Sequence, residues 1–182
     1  DSTDSDGTIA DMGVYPFLNS YSGPTWYVSV TAGNDTTATG ASDAPFRSIQ
    51  SGINFSSNAD SVTVAAGTYV ENINFRGRNI KVIGADRETT IIDGNQNGSV
   101  VNIANNETNA FLSGFTITNG TAAYGGGINC TGTDATITNV IVENNLATSH
   151  GGGVVSYGGG SILNISDSYI RNNICDNCGG GG

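Results

Sequence analysis

The side chains in this chain that could do chemistry are few and scattered. The single histidine, His150, stands just before Gly151-Gly-Gly. A lone imidazole at a turn is most simply a turn residue, because acid–base work needs a partner that orients it. Glu143 and Arg171 lie one sequence repeat apart. Glycoside hydrolysis needs two carboxylates a few ångströms from each other, so a carboxylate facing an arginine reads as a surface ion pair. Cys175-Asp-Asn-Cys178 is open to three readings: a loop disulfide, half of a metal site, or a redox pair. There is no second Cys-x-x-Cys and no nearby histidine, which disfavours metal. A redox pair wants a helix N-terminus, which a glycine-rich segment does not offer. A local disulfide between Cys175 and Cys178 is the plain reading. Cys130 is then odd, either buried as a small apolar residue or paired outside the chain. At the N-terminus, Asp4, Asp6 and Gly7 have the alternate-oxygen-then-glycine spacing of a calcium loop, with Asp11 near. In that frame glycine stands where the bidentate glutamate belongs, so a solvated acidic turn competes with a calcium turn. Beyond that calcium, no cofactor is expected.

Those residues sit in a chain that repeats itself. Phe115-Thr-Ile-Thr-Asn119-Gly, Val140-Ile-Val-Glu-Asn144-Asn and Tyr169-Ile-Arg-Asn172-Asn each precede a glycine run, at Gly125, Gly151 and Gly179. The asparagines are 25 and 28 residues apart, the glycine runs 26 and 28. Such a period marks stacked repeats. Within each repeat apolar residues fall two apart, as Phe115/Ile117 and Val140/Val142 do, which is strand periodicity. Asn and Gly between them supply tight turns, and no stretch has the length of a crossover helix. The fold predicted is all-β: a right-handed, single-stranded parallel β-helix with three strands per coil. Asn119, Asn144 and Asn172 are expected to form an interior ladder of side-chain amides, each using both its carbonyl and its NH₂. Asp93 is expected to cap that ladder, and Ile92, Thr118, Glu143 and Arg171 to point outward beside it. A second ladder would hold Ile73, Val101, Ile128 and Val154. A third would hold Ile80/Val82, Leu112, Ile137 and Leu163/Ile165.

Composition narrows the function. At 182 residues the chain is one domain with room for a continuous core. Sixteen acidic against six basic residues leave a net charge of −10. That argues against nucleic acid and anionic membranes, and against acidic polysaccharide unless a cation bridges them. No run of about 18 apolar residues is present, so no membrane insertion is expected. No signal peptide opens the chain, so it reads as mature or excised from something longer. Seven Asn-x-Ser/Thr sequons occur, at Asn34, Asn54, Asn97, Asn106, Asn119, Asn129 and Asn164; in so Asn- and Ser/Thr-rich a chain most are chance.

Three segments follow. Residues 1–22 hold the acidic turn and then an apolar patch containing Val14, Tyr15, Phe17 and Leu18, which must dock on something. Residues 23–60 hold a strand at Trp26–Val30, a polar loop and a short helix. Phe46, Ile49 and Ile53 share one helical face, with Pro45 in the first turn and Asp43 as the capping side chain. That helix would cover the open N-terminal end of the coils. Residues 61–182 form the coils, about four full turns and a partial fifth. Val62–Ala66 aligns with Thr90–Asp93 in the weaker first half.

Gly67-Thr-Tyr69-Val-Glu71-Asn-Ile73, Ile80-Lys-Val82-Ile-Gly84 and Thr90-Ile-Ile-Asp-Gly94 resemble the opening coils of the pectin-lyase-like superfamily. The Trp26-Tyr-Val-Ser lead-in, Pro45-Phe-Arg-Ser-Ile49-Gln and the Gly-Gly-Gly-Ile coils resemble its secreted bacterial members, often large multidomain surface proteins. The resemblance covers about residues 26–182 and implies the fold, with an extracellular or cell-surface location. It does not imply one activity, because the superfamily mixes lyases, hydrolases, esterases, adhesins and scaffolds. A His-Gly pair like His150-Gly151 occurs in its pectin hydrolases, but the paired aspartates of those enzymes are absent here. Asp4 to Gly13 looks like the segment that usually follows the last coil of such proteins, yet it precedes the first, which implies a chain cut from a tandem array or one whose ends meet those of other copies.

The function expected is a non-catalytic structural module. Its partners are copies of itself, stacked head-to-tail into a filament or tandem array, with residues 1–22 covering the last coil of a neighbour. A carbohydrate-active enzyme or carbohydrate-binding module is the competing class, with polysaccharide as partner. A sugar site needs exposed aromatics on one flank; Tyr124, Tyr157 and Tyr169 are the late candidates, and Tyr124 and Tyr157 do not share a column in the sequence.

Overall fold

The computed structural model describes residues 21–158, 160–176 and 178. Asp4, Asp6 and Asp11, the apolar residues Val14, Tyr15, Phe17 and Leu18, and Gly179–Gly182 lie outside the described residues.

A lead-in strand β1 (Thr25–Val28) and helix α1 (Ile49–Phe55) precede the coils. The first coil is β2 (Ser61–Val64), β3 (Gly67–Val70) and β4 (Ile73–Asn74); the second is β5 (Lys81–Gly84), β6 (Thr90–Asp93) and β7 (Val101–Ile103). The third gains a fourth strand: β8 (Ala110–Ser113), β9 (Thr116–Thr118), β10 (Thr121–Tyr124) and β11 (Ile128–Thr131). The fourth repeats that pattern as β12 (Ala135–Thr138), β13 (Ile141–Glu143), β14 (Leu146–His150) and β15 (Val154–Tyr157). The fifth holds β16 (Leu163–Ser166), β17 (Tyr169–Arg171) and β18 (Ile174–Cys175).

Strands of successive coils pair in parallel and build four sheets. They run β1-β2-β5-β8-β12-β16, β3-β6-β9-β13-β17, β4-β7-β11-β15 and β10-β14-β18. The molecule is a parallel β-helix with one short N-terminal helix, as the repeat predicts.

Alternation puts one column of each sheet inside. Val62, Val82, Leu112 and Ile137 follow one another in register and are fully buried. Tyr69, Ile92, Ile117 and Val142 do the same in the second sheet. Ile73, Val101, Ile128 and Val154 stack as the second predicted ladder has them. Two predictions on register fail. Val62 lies beneath Val82 and Gly67 beneath Thr90, so Val62–Ala66 does not stack on Thr90–Asp93. The first coil is shorter than the later ones, and the 27-residue spacing from Ala66 to Asp93 overshoots it. Ile92 is buried, and the outward column is Val70, Asp93, Thr118, Glu143 and Arg171.

The N-terminal end is covered as expected, but by different means. Strand β1 already belongs to the first sheet, paired with β2. Ile49 and Ile53 of α1 are wholly buried. A side chain at Gly52 would meet Val62 Cγ1 at 2.8 Å and Val28 Cγ2 at 3.0 Å, so the helix rests directly on the first two rungs. Phe46 precedes the helix and clusters with Trp26 and Phe55, its ring centroid 6.2 and 4.8 Å from theirs, while those two stand 6.0 Å apart. The N-cap is Ser48, not Asp43: its hydroxyl accepts from the Ser51 N–H at 3.2 Å. The first coil then holds both helix ends. The Glu71 carboxylate accepts from Ile49 N–H at 2.8 Å and Gln50 N–H at 3.0 Å. Arg78 donates through Nε to Ser56 O at 2.9 Å and through Nη2 to Asn54 O at 3.2 Å. Anion at the N-terminus and cation at the C-terminus is the arrangement the peptide dipoles favour.

Candidate functional site

The interior ladder exists one residue along from where the sequence places it. Asn119, Asn144 and Asn172 are exposed and take left-handed φ values of 57°, 57° and 54°. They are turn residues, and asparagine suits them because it tolerates that conformation. The inward amides are the residues that follow, the buried Asn145 and the half-buried Asn173. Asn145 is 1% exposed and saturates its side chain. Its Nδ2 donates to Ile117 O, Glu143 O and Asn173 Oδ1, each at 3.0 Å, and its Oδ1 accepts from Gly120 N–H at 2.8 Å. Asn173 Nδ2 donates to Val142 O at 2.9 Å, and its Oδ1 also accepts from Asn145 N–H at 3.0 Å. In the third coil the same place is held by Gly120, where any Cβ would overlap the Gly126 carbonyl. Asp93 does not cap this ladder. From the outward column its Oδ2 accepts from Asn119 Nδ2 at 2.9 Å and its Oδ1 from Asn95 N–H at 2.8 Å.

The outward column carries two carboxylates, Asp93 and Glu143, with Thr118 on the rung between. Two rungs amount to about 9.6 Å. That exceeds the separation of a retaining glycosidase pair, about 5–5.5 Å, and stands at the outer limit for an inverting one. Glu143 is paired with Arg171, Oε2 to Nε at 2.7 Å, as the sequence predicts. Glu107 is 1% exposed, and its carboxylate accepts from Gly77 N–H at 2.8 Å and Asn105 N–H at 2.7 Å. It holds two corner turns together. Asp134, at a neighbouring corner, accepts from Ile162 N–H at 2.8 Å. Both carboxylates line the shallow depressions on this flank. Among the described residues no group of three or more His, Cys, Asp or Glu gathers where a metal ion would sit.

Cys175 and Cys178 are joined as a disulfide, with Cα atoms 5.5 Å apart. Cys130 is wholly buried, in register between Ile103 and Ser156. Burial, with the Glu107 charge adding, pushes its thiol up to about 12. It serves as a small apolar core residue, one of the two roles the sequence leaves open.

His150 ends β14 and lies flat beside Tyr124, ring centroids 5.4 Å apart. Tyr157 stands 5.7 Å from Tyr124. Tyr124 and His150 stack in one column, and Tyr157, which shares no column with Tyr124 in the sequence, joins them on the same flank. The signal for this was weak: Tyr124 and Tyr157 are 33 residues apart, which is one coil plus one glycine corner.

The last coil has its own character. Ile165 is 38% exposed and Ile170 is 47% exposed, although they continue the columns of Ile137 and Val142. Among the described residues nothing lies over them. Loop 85–89 reaches across the corner towards this coil. Arg87 Nη1 donates to Asp167 O at 2.9 Å, and its guanidinium lies 4.8 Å from the centre of the Tyr169 ring.

Residues 31–76, the polar loop, α1 and the first coil, match a family described as "Protein of unknown function (DUF1565)". No curated protein and no solved structure matches the chain.

Proposed function

We propose that this chain is a non-catalytic structural module of a secreted or cell-surface protein, of pectin-lyase-like ancestry, whose last coil receives a neighbouring copy. One observation carries the reading. Ile165 and Ile170 are core residues by register and surface residues by exposure. Apolar side chains above a fully buried column, with the strand edges of β16, β17 and β18 beside them, favour addition of further strands. The other end is closed by α1, so the contact is head-to-tail and builds a linear array instead of a ring or a two-fold dimer. Residues 1–22, with Val14, Tyr15, Phe17 and Leu18, are the segment assigned to cover the neighbour's last coil. The wide spacing of Asp93 and Glu143 and the hydrogen-bonded state of Glu107 and Asp134 weigh against a polysaccharide lyase or hydrolase, the runner-up.

Light scattering on the full chain over a range of concentrations tests this. Mass should grow with concentration, while a chain lacking residues 1–22 stays monomeric, as should Ile170→Lys. A full chain that is monomeric at every concentration overturns the proposal.

A further inference from the structure

Tyr124, His150 and Tyr157 end strands β10, β14 and β15. Tyr124 and His150 are register partners on adjacent rungs, with ring planes 11° apart. Carbon atoms in contact stand about 3.5–4 Å apart, so centroids at 5.4 Å leave the two rings slipped sideways by roughly 4 Å. Much of each face is therefore uncovered. Tyr157 arrives from the far side of the glycine corner, tilted 45° to Tyr124. Gly125 and Gly151 make that corner, with left-handed φ values of 60° and 61°. A Cβ at either would strike the carbonyl of Ile128 or Val154. The corner is thus tight enough to bring β15 back beside the rings.

Tyr124 and Tyr157 remain 43% and 49% exposed, and His150 is exposed as well. Grouped exposed aromatics mark a recognition surface more often than scattered ones do. Their chemistry selects the ligand. Each ring has an apolar face and a polar rim, the phenol hydroxyl or the imidazole nitrogen. Thr131 is the register partner of Tyr157, and its hydroxyl donates to Asn129 Oδ1 at 2.7 Å. That places a hydroxyl and an amide on the same flank, and none of these five side chains is an acid or a lysine or arginine. Flat apolar faces beside neutral hydrogen-bonding groups fit the C–H face and hydroxyl rim of a sugar ring. A net charge of −10 repels uronates. We propose that Tyr124, His150 and Tyr157 form a binding ledge for neutral saccharide chains, on the flank of the third and fourth coils.

The test titrates the full chain with hexaoses of β-1,4-glucose, β-1,4-mannose, β-1,4-xylose and α-1,4-glucose, and with polygalacturonate, following the tyrosine ring resonances by NMR. At least one should bind saturably, with a dissociation constant on the order of 1 mM, as suits one open ledge. Tyr124→Ala and Tyr157→Ala should weaken that binding about tenfold or more, while Tyr157→Phe keeps it within about threefold, because stacking needs the ring. Melting of all three variants should match the parent. The ledge is refuted if all four hexaoses fail to saturate, if the alanine variants bind as the parent does, or if only polygalacturonate binds. A change in particle mass for Tyr157→Ala without any sugar binding would make the ledge a protein contact and refute it equally.

Discussion

Asn145 lies one coil from Asn173 with its amide nitrogen 3.0 Å from the partner's Oδ1, so that each side chain completes a turn in a coil other than its own. Replacing Asn145 by alanine strands the Gly120 N–H and the Ile117 and Glu143 carbonyls in a buried corner. Each stranded group costs about 1–3 kcal/mol, and in a domain of this size each kcal/mol moves the midpoint by about 2–4 °C. Asn145→Ala should therefore melt at least about 5 °C below the parent. Asn144→Gly, at the exposed left-handed turn one residue earlier, should melt within about 2 °C of it. Equal losses at the two positions would remove the ladder from Asn145.

The columns of the core were legible because period-two alternation survives from coil to coil. Ile73, Val101, Ile128 and Val154 could be aligned from their own neighbours alone. The asparagines were misplaced by one because Asn144-Asn145 and Asn172-Asn173 offer two identical side chains for two jobs, the left-handed turn and the buried amide. Asn119-Gly120 in the third coil, with a single asparagine, pointed to the wrong member of the pair. The helix caps were beyond local reading: Ser48 is local, but Glu71 arrives 22 residues after Ile49. The aromatic ledge depends on how tightly a glycine corner folds, which spacing alone does not encode.

Cys130 should be inert in the folded chain. A thiol raised to about 12 is about one part in 10,000 thiolate at pH 8, and this one is also shut away from solvent. Alkylation by iodoacetamide at pH 8 should be at least about 100-fold slower in the native protein than in denaturant. Unfolding without reductant should expose one thiol, and mass mapping should find Cys175 linked to Cys178. A native thiol that reacts at the denatured rate, or Cys130 found in the disulfide, would contradict the structure.

Arg87 ties the second coil to the fifth, over the two coils between them, by a hydrogen bond to Asp167 and by its place over Tyr169. A cation over an aromatic ring contributes about 0.5–1 kcal/mol at an exposed site, and the charged hydrogen bond adds to it. Arg87→Ala should accelerate amide exchange by about tenfold at Tyr169 and Ile174, whose N–H groups tie the last coil to Val140 O and Asn145 O, and leave exchange in β2 and β5 unchanged. Uniform acceleration through all coils would mean that Arg87 supports the whole fold and not the last coil.

Glu71 gives a pH signature whose sign is fixed by which influence dominates. Burial raises its carboxyl above the ordinary value of 4.5; the N–H groups of Ile49 and Gln50 oppose this, and the Asp35 charge adds to it. The folded chain thus binds the Glu71 proton more tightly than the unfolded chain. Stability linked to this group is full below the ordinary glutamate value and is lost as pH rises through the raised folded value. Other carboxylates also titrate in this range, so the parent is compared with Glu71→Gln, which cannot ionise. At pH 7 the glutamine variant should be the less stable, because its NH₂ cannot accept the second helix N–H. As pH falls from 7 towards 4 the gap between the two midpoints should widen, because only the parent gains from taking up a proton. A gap that closes over that range would mean that the two N–H bonds outweigh burial, and that the carboxylate is held at the N-terminus of α1 as an anion at little cost.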